Sequence, residues 1–290
     1  MEASELLKKV RKIEIKTRGI SNHIFSGEYH SAFKGRGMTF SEVREYQPGD
    51  DIRSIDWNVT ARFNNPYVKV FEEEREMTVM LLVDISASGQ FGTQQQLKQD
   101  LITELCAVLS FSAIQNNDKI GVIFFTDKIE KFIPPKKGKT HILRIIRDLI
   151  EFKPEDTKTD IRLSLKYLTN VIKKRSIAFL ISDFISSDFS DAIKIANKKH
   201  DLVALRIFDI REQEIPDVGF IKVIDAETQN IKWIDTSDKD VRKQYALKSK
   251  THEAYLKELF AKSGVDVANI STNISYVQPL MNLFRKREIK

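Results

Sequence analysis

The sequence predicts an α/β protein built on a doubly wound, mostly parallel sheet flanked by helices, with an amino-terminal extension and a small β-hairpin insertion. Three observations predict it. From Met77 onward, apolar runs rich in β-branched residues alternate with amphipathic stretches of helical period. The first of these runs, Met77 to Val83, stops at Asp84-Ile-Ser86-Ala-Ser88, so polar chemistry begins where a buried strand ends. Open sheets of this kind bind their ligands outside the carboxyl ends of the strands, where such a loop lies. At 290 residues, 41% hydrophobic and 30% charged, the chain is long enough for one large core with an elaborated flank.

The elements follow in order. A helix is expected from about Ala3 to Ile15, then a Gly-punctuated segment to about Val59 and a short strand over Val68 to Phe71. Residues 1–76 are expected to form the extension, packed on a core of residues 77–290. Core strands are expected at Thr78 to Val83, Ile120 to Phe125, Ile177 to Ile181, Leu202 to Phe208 and Val265 to Ile270. Helices are expected at Gln94 to Gln115, His141 to Phe152, Asp160 to Lys174, Ser190 to Lys199, Lys239 to Ser263 and Val277 to Arg285. Ile129 to Ile133 follows the second core strand across Thr126-Asp127-Lys128, too short for a helical crossover, and reads as an antiparallel edge strand. Residues 210–237 interrupt the alternation. Phe220 to Ile224 and Ile231 to Ile234 read as a hairpin with Gln229-Asn230 near its turn. No internal repeat or low-complexity tract is present.

Composition narrows the function classes. One cysteine, Cys106, excludes an internal disulfide framework and a Cys-rich zinc site; set among Leu101, Leu105 and Leu109 at helical spacing, it reads as a small core residue. No stretch approaches the ~18 consecutive apolar residues of a membrane span, and Met1-Glu-Ala-Ser-Glu-Leu-Leu-Lys-Lys lacks the apolar core of a signal peptide. A cytoplasmic protein without a membrane span is the expectation. The net charge of +6 invites a nucleic-acid reading, but residues 1–76 hold 13 Lys or Arg against 13 Asp or Glu. The excess is therefore spread through the rest, and its clusters, Lys136-Lys137-Gly138-Lys139 and Arg285-Lys286-Arg287, are short, lack interleaved aromatics and read as solvated surface. No nucleic-acid partner is expected.

Two further loops join the first at the same sheet edge. Glu155-Asp-Thr157-Lys-Thr159-Asp160 stands at the mouth of a helix, and Ser182-Asp183 follows the strand Ile177 to Ile181. Together the loops offer Asp84, Ser86, Ser88, Thr159 and Asp183. Few carboxylates, neutral hydroxyls and room for water form the oxygen set that magnesium or manganese prefers. Two negative charges against a divalent cation leave it electrophilic toward a carboxylate from elsewhere. Taken singly, each residue has a plainer role: Ser86 and Ser88 can end a strand and cap a helix, Thr159 or Asp160 can cap the next, and Asp183 the one after.

This ordered set resembles the von Willebrand factor A domain and its metal-ion-dependent adhesion site. In that family the Asp-x-Ser-x-Ser loop ligates the metal, a Thr from the second loop joins, and an Asp at a later strand end completes the site, often through water. The matching positions are Asp84, Ser86, Ser88, Thr159 and Asp183. Where many relatives read Gly-Gly-Thr-Asp, this chain has Thr157-Lys158-Thr159-Asp160, which keeps the hydroxyl without the glycines and places Thr157 beside it as a second one.

An upstream block narrows the resemblance. Gly35-Arg36-Gly37-Met-Thr-Phe40, Arg44-Glu-Tyr46-Gln-Pro-Gly49-Asp50-Asp-Ile-Arg53-Ser-Ile55-Asp56-Trp57 and Ala61-Arg62 are similar to the signature of the bacterial family catalogued as domain of unknown function fifty-eight, whose members carry it before a von Willebrand A-like domain. The similarity runs from about Ile20 to Ile274. Many members are encoded beside MoxR-type AAA+ ATPases, and some begin with a membrane-anchoring hairpin absent here. The resemblance implies a non-enzymatic, Mg2+- or Mn2+-dependent protein-interaction module, partner to a MoxR-type AAA+ ATPase or its client, with an affinity switch linked to movement of Val277 to Arg285. The block also has a structural reading. On it, Pro48-Gly49-Asp50 is expected to make a turn, Arg44, Arg53 and Arg62 to pair bidentately with Asp50, Asp51 and Asp56, and Trp57 and Tyr46 to be buried against the sheet; on the functional reading the arginines, such as Arg36 in its Gly-flanked loop, point outward as a docking surface near the metal.

Catalytic alternatives lack their parts. A haloacid-dehalogenase phosphatase needs a second carboxylate where Ser86 stands. Gly138-Lys139-Thr140 echoes a phosphate-binding loop, but Ile133 occupies the place of its first glycine. No Gly-x-Ser-x-Gly elbow occurs, and His23, His30, His141, His200 and His252 show no metal-ligand spacing. The competing functions are a nucleic-acid-binding protein using the basic surface and a hydrolase using metal-bound water.

Overall fold

The computed structural model describes residues 10–17, 20, 39–63, 65–72, 77–92, 96–224 and 230–288. The chain divides into two units, one of Met1–Ala32 with Thr78–Lys290 and one of Phe33–Met77. In the smaller unit, β1 (Thr39–Glu45) pairs antiparallel with β2 (Tyr67–Glu72), and the short helix α1 (Trp57–Phe63) lies between them in sequence. Gly49, at φ +110°, makes the turn that sets Asp50 against Arg44, whose guanidinium forks onto both carboxylate oxygens at 2.7 and 2.8 Å. That pair holds the Asp50 carboxyl below its ordinary range. The other expected pairings differ. Asp56 caps α1 through the amides of Asn58 and Val59 and meets Lys69 at 3.4 Å, while among the described residues Arg53 and Arg62 form no ion pair. Trp57, expected to be buried, is 69% exposed, because Asp56 starts a helix whose first residue turns its ring to solvent. Arg36 and the glycines around it lie outside the described residues.

The larger unit is built on a six-stranded sheet of order β10-β7-β6-β3-β4-β5. Its strands are β3 (Thr78–Asp84), β4 (Lys119–Phe125), β5 (Ile129–Lys136), β6 (Ile177–Ser182), β7 (Asp201–Phe208) and β10 (Asp266–Ser271). All neighbours are parallel except β5, which runs antiparallel to β4 as the short connection requires. β5 extends three residues past the expected end, and its Pro134 and Pro135 are tolerated on an outer edge. The central strands read as continuous apolar runs because helices cover both faces; Val79 to Val83 are at most 1% exposed.

Those helices are α2 (Lys98–Gln115), α3 (Lys139–Glu151), α4 (Ile161–Val171), α5 (Ser190–Lys199), α7 (Lys239–Ser263) and α8 (Val277–Glu288), with a four-residue helix α6 (Ile210–Gln213) after β7. α2 is buried nearly all round, and burial pushes the Cys106 thiol well above its ordinary range, as a core residue requires. α4 begins one residue after its Asp160 cap and stops at Val171, short of the expected Lys174. α7 is capped by Asp238 and ends at Gly264 in the left-handed region. The expected hairpin forms as β8 (Phe220–Ile224) against β9 (Ile231–Asp235), a separate two-stranded sheet; residues 225–229 at its turn lie outside the described residues. In the Arg285-Lys286-Arg287 cluster the first two residues are exposed as expected, but the last is not solvated surface. Arg287, 8% exposed, pairs with Asp266 at 2.9 Å and with Asp201, tying α8 to the starts of β7 and β10.

Candidate functional site

The strand order reverses direction between β3 and β6, and the three loops meet outside that point. Register sets them level. Val83 pairs with Ile181 and Ser182 with Arg206, so Asp84, Ser182 and Arg206 stand in one row across three strand ends. They continue the inward rows Met80-Leu82, Ala178-Leu180 and Leu202-Ala204, which belong to the core beneath α4, α5 and α7. Polar side chains replace apolar ones at the same level of a buried face.

Asp84 is 5% exposed. Its Oδ1 accepts the Ser86 amide at 3.0 Å, and its Oδ2 accepts the Ser182 hydroxyl at 2.6 Å. Burial first, and then the charge of Asp183, push its carboxyl up to about 6. Ser86 and Ser88 lie with their hydroxyl oxygens 3.1 Å apart. The Ala87 amide donates to the Thr157 carbonyl at 3.2 Å and joins the first loop to the second. There Asp160 takes the capping role by accepting the Leu163 amide, which frees Thr159 from it. The Thr159 hydroxyl is buried and has no hydrogen-bond partner among the described residues. The plainer reading of Asp183 as a helix cap does not hold, since its Oδ1 accepts from Ile185 and Asp188 serves the amide of Ser190 instead.

Three groups that the sequence reading missed complete the arrangement. The Lys98 ammonium, 2% exposed, reaches Asp183 Oδ2 at 3.1 Å and also bonds to Glu212. The two carboxylates hold it protonated against the cost of burial, raising its pKa above the ordinary value. Glu212 is presented by α6, which opens with a capping box between Asp209 and Glu212. Signals for both were visible: Lys98 shares the stripe of Leu101, Ile102 and Leu105, and Asp209-Ile-Arg-Glu212 has capping-box spacing. Ser182 is the third. Beside it Phe184, fully buried, adopts φ +62°, which a bulky residue rarely accepts.

The donor set is two carboxylates and three hydroxyls. Among the described residues no three His, Cys, Asp or Glu side chains are grouped as for a metal, so any cation here must rest on hydroxyls and water as well. The orphaned Thr159 hydroxyl and the repulsion between Asp84 and Asp183 are both features that a cation would relieve. A recess of about 440 Å³ opens beside Asp84 and Ser86, with Phe152 to Pro154 and Thr157 on its far wall.

The chain is similar to Rv1480 of Mycobacterium tuberculosis, at 26% identity over 281 residues, 96% of this chain and 88% of that protein. A shorter match to YeaD of Bacillus subtilis is 28% identical over 109 residues, 38% of this chain and 25% of the relative. Among solved structures it is similar to BatB from Bacteroides thetaiotaomicron (TM-score 0.48, 16% identity, 74% of this chain and 100% of that one) and to the SpRpn10 VWA domain (TM-score 0.42, 8% identity, 72% and 95%). The family described as "Protein of unknown function DUF58" matches residues 42–255, from within β1 to within α7, and the chain belongs to this family.

Proposed function

We propose that this protein is a divalent-cation-dependent protein-interaction module whose binding surface is the loop cluster at the ends of β3 and β6. The observation that supports the reading is that the loops carrying Asp84, Ser86, Ser88, Thr159 and Asp183 lie at the reversal of strand order, with the Thr159 hydroxyl buried and, among the described residues, unpartnered. Asp84, Ser86 and Ser88 hold the cation, Mg2+ or Mn2+, and Thr159 and Asp183 complete the set directly or through water. When bound, the ion offers an open coordination position to a carboxylate of a partner. Ser182 orients Asp84, Lys98 orients Asp183, and the recess beside Ser86 admits the partner's side chain. The partner is a MoxR-type AAA+ ATPase or a client of one, and the module binds without turnover. Among the described residues no helix is long and apolar enough to cross a membrane.

Calorimetric titration of chelator-treated protein with Mg2+ and Mn2+ tests the site. The parent is expected to bind saturably and Thr159→Val, which keeps the shape and removes the hydroxyl, to bind about tenfold more weakly. Equal affinity in parent and variant removes Thr159 from the set, and no metal dependence in capture of the ATPase by the parent removes the proposed mechanism.

A further inference from the structure

On the far side of Asp183 from Asp84 lies a second cavity, of about 250 Å³, between the ends of β6 and β7 and the first half of α7. One wall is the face of α7 that carries Tyr245, Lys248, Ser249 and His252, spaced as one helical stripe. Farther along, that stripe continues as Leu256, Leu259 and Phe260 and is core. The same face of one helix thus changes from apolar to polar where it passes the cavity. On the opposite wall β7 does the same: Leu202, Val203, Ala204 and Leu205 are buried and apolar, and the next residue is Arg206.

Arg206 is 6% exposed, and its guanidinium makes no hydrogen bond within the described residues. Among the described residues its Nε is buried without a hydrogen-bond partner, its nearest carboxylate, Glu253, stands in a loose ion pair at 3.9 Å, and the guanidinium lies 5.3 Å from the Phe208 ring centroid. A guanidinium has five donors, and burying one with none of them used is costly. The two carboxylates in the cavity wall, Asp183 and Glu212, favour its charge from a distance but give it no hydrogen bond, both being taken by Lys98. Across the cavity, His252, whose ring also interacts with the Phe184 backbone, has a buried Nε2 without a hydrogen-bond partner among the described residues. Lys248 is exposed at the edge and adds a second cation.

We propose that this cavity is a binding site for a small oxyanion group, held by the Arg206 fork with His252 opposite and Lys248 at the mouth. A planar fork of N–H donors matches carboxylate and phosphate oxygens. The volume is below the ~300 Å³ where drug-sized ligand sites begin, so the site takes one anionic head or one acidic side chain rather than a large molecule. The apolar flanks, Ile185 and Phe208, suit the carbon stem of such a group. The site requires no metal and stands whether or not the loop cluster binds one.

Phosphate and acetate are the probes. The full chain, in chelator and at constant ionic strength against chloride, is titrated with each while thermal unfolding is followed, in parallel with Arg206→Gln and His252→Gln. The parent is expected to gain stability saturably with at least one probe, and both variants to need about tenfold or more of it for the same gain. A response to phosphate alone assigns a phosphoryl ligand, and a response to acetate assigns a carboxylate such as an acidic side chain. If Arg206→Gln does not fold, His252→Gln and the parent decide the matter. No saturable response in the parent, as for a cavity that holds only water, overturns the proposal. So does a response that persists unchanged in the variants.

Discussion

Replacing Asp84 by Asn is expected to stabilise the metal-free protein while removing its response to metal. Burial and the neighbouring Asp183 push the Asp84 carboxyl from 3.8 up to about 6. Between those values the folded chain keeps a proton that the unfolded chain has released, so stability falls as pH rises through the window. The shift of about 2 units corresponds to about 3 kcal/mol lost above pH 6. Asn carries no charge, still accepts the Ser86 amide, and donates to the Ser182 oxygen, which already accepts the Phe184 amide and has a lone pair left. Urea unfolding in chelator, from about pH 4 to about pH 7.5, measures the effect. The stability of Asp84→Asn minus that of the parent should be near zero at the acid end and reach about 3 kcal/mol at the other. Taken as a difference, it is free of groups that titrate equally in both proteins. Adding Mg2+ should then raise the parent and leave the variant unchanged. A difference that is flat with pH, or a variant less stable than the parent near pH 7.5 without metal, refutes the reasoning.

Lys98→Met should cost about 3–5 kcal/mol in denaturant unfolding, because it leaves Asp183 and Glu212 buried without their shared cation; a cost below about 1 kcal/mol would show that the carboxylates do not depend on it. His200 is fully buried, with Nδ1 3.0 Å from the Ser176 hydroxyl, and burial, helped by Lys199 and Arg175, holds its pKa down to about 4. The unfolded chain takes up a proton there that the folded chain refuses, so stability is full above pH 6.5 and falls by roughly 3 kcal/mol as pH drops toward 4. An NMR titration in which the His200 ring protonates above pH 6 would contradict this, as would an unchanged acid slope in His200→Gln.

The fold was legible because the central strands are buried on both faces, which makes them apolar runs that end abruptly at Asp84 and Ser182. The antiparallel edge followed from a three-residue connection, and the two-stranded insertion from its own runs. The members of the loop cluster were legible as residue types in order. Their partners were not, because partnership here is a matter of register and reach. Lys98 lies 85 residues from Asp183 in sequence, and only the pairing of Ser182 with Arg206 sets that arginine level with Asp84. Trp57 was misjudged for a related reason: a large aromatic beside a turn reads as buried unless the helix register that points it outward is known. The end of the basic run was misjudged likewise, since the acids that capture Arg287 come from two other strands.

Phe184 binds the chemistry at the loop cluster to the quality of the core. Its left-handed backbone costs about 1–2 kcal/mol, and what outweighs that cost is the seating of its ring, edge-on to Phe260 at 5.1 Å and near Phe189 at 6.0 Å. Asp183 is the residue immediately before it. If Phe260 were trimmed, residue 184 would lose its reason to stay in that conformation and could relax into ordinary backbone, turning the adjoining carboxylate away from Lys98. A mutation inside the hydrophobic layer would then register first as a change in what the loops can hold, before any global loss of structure.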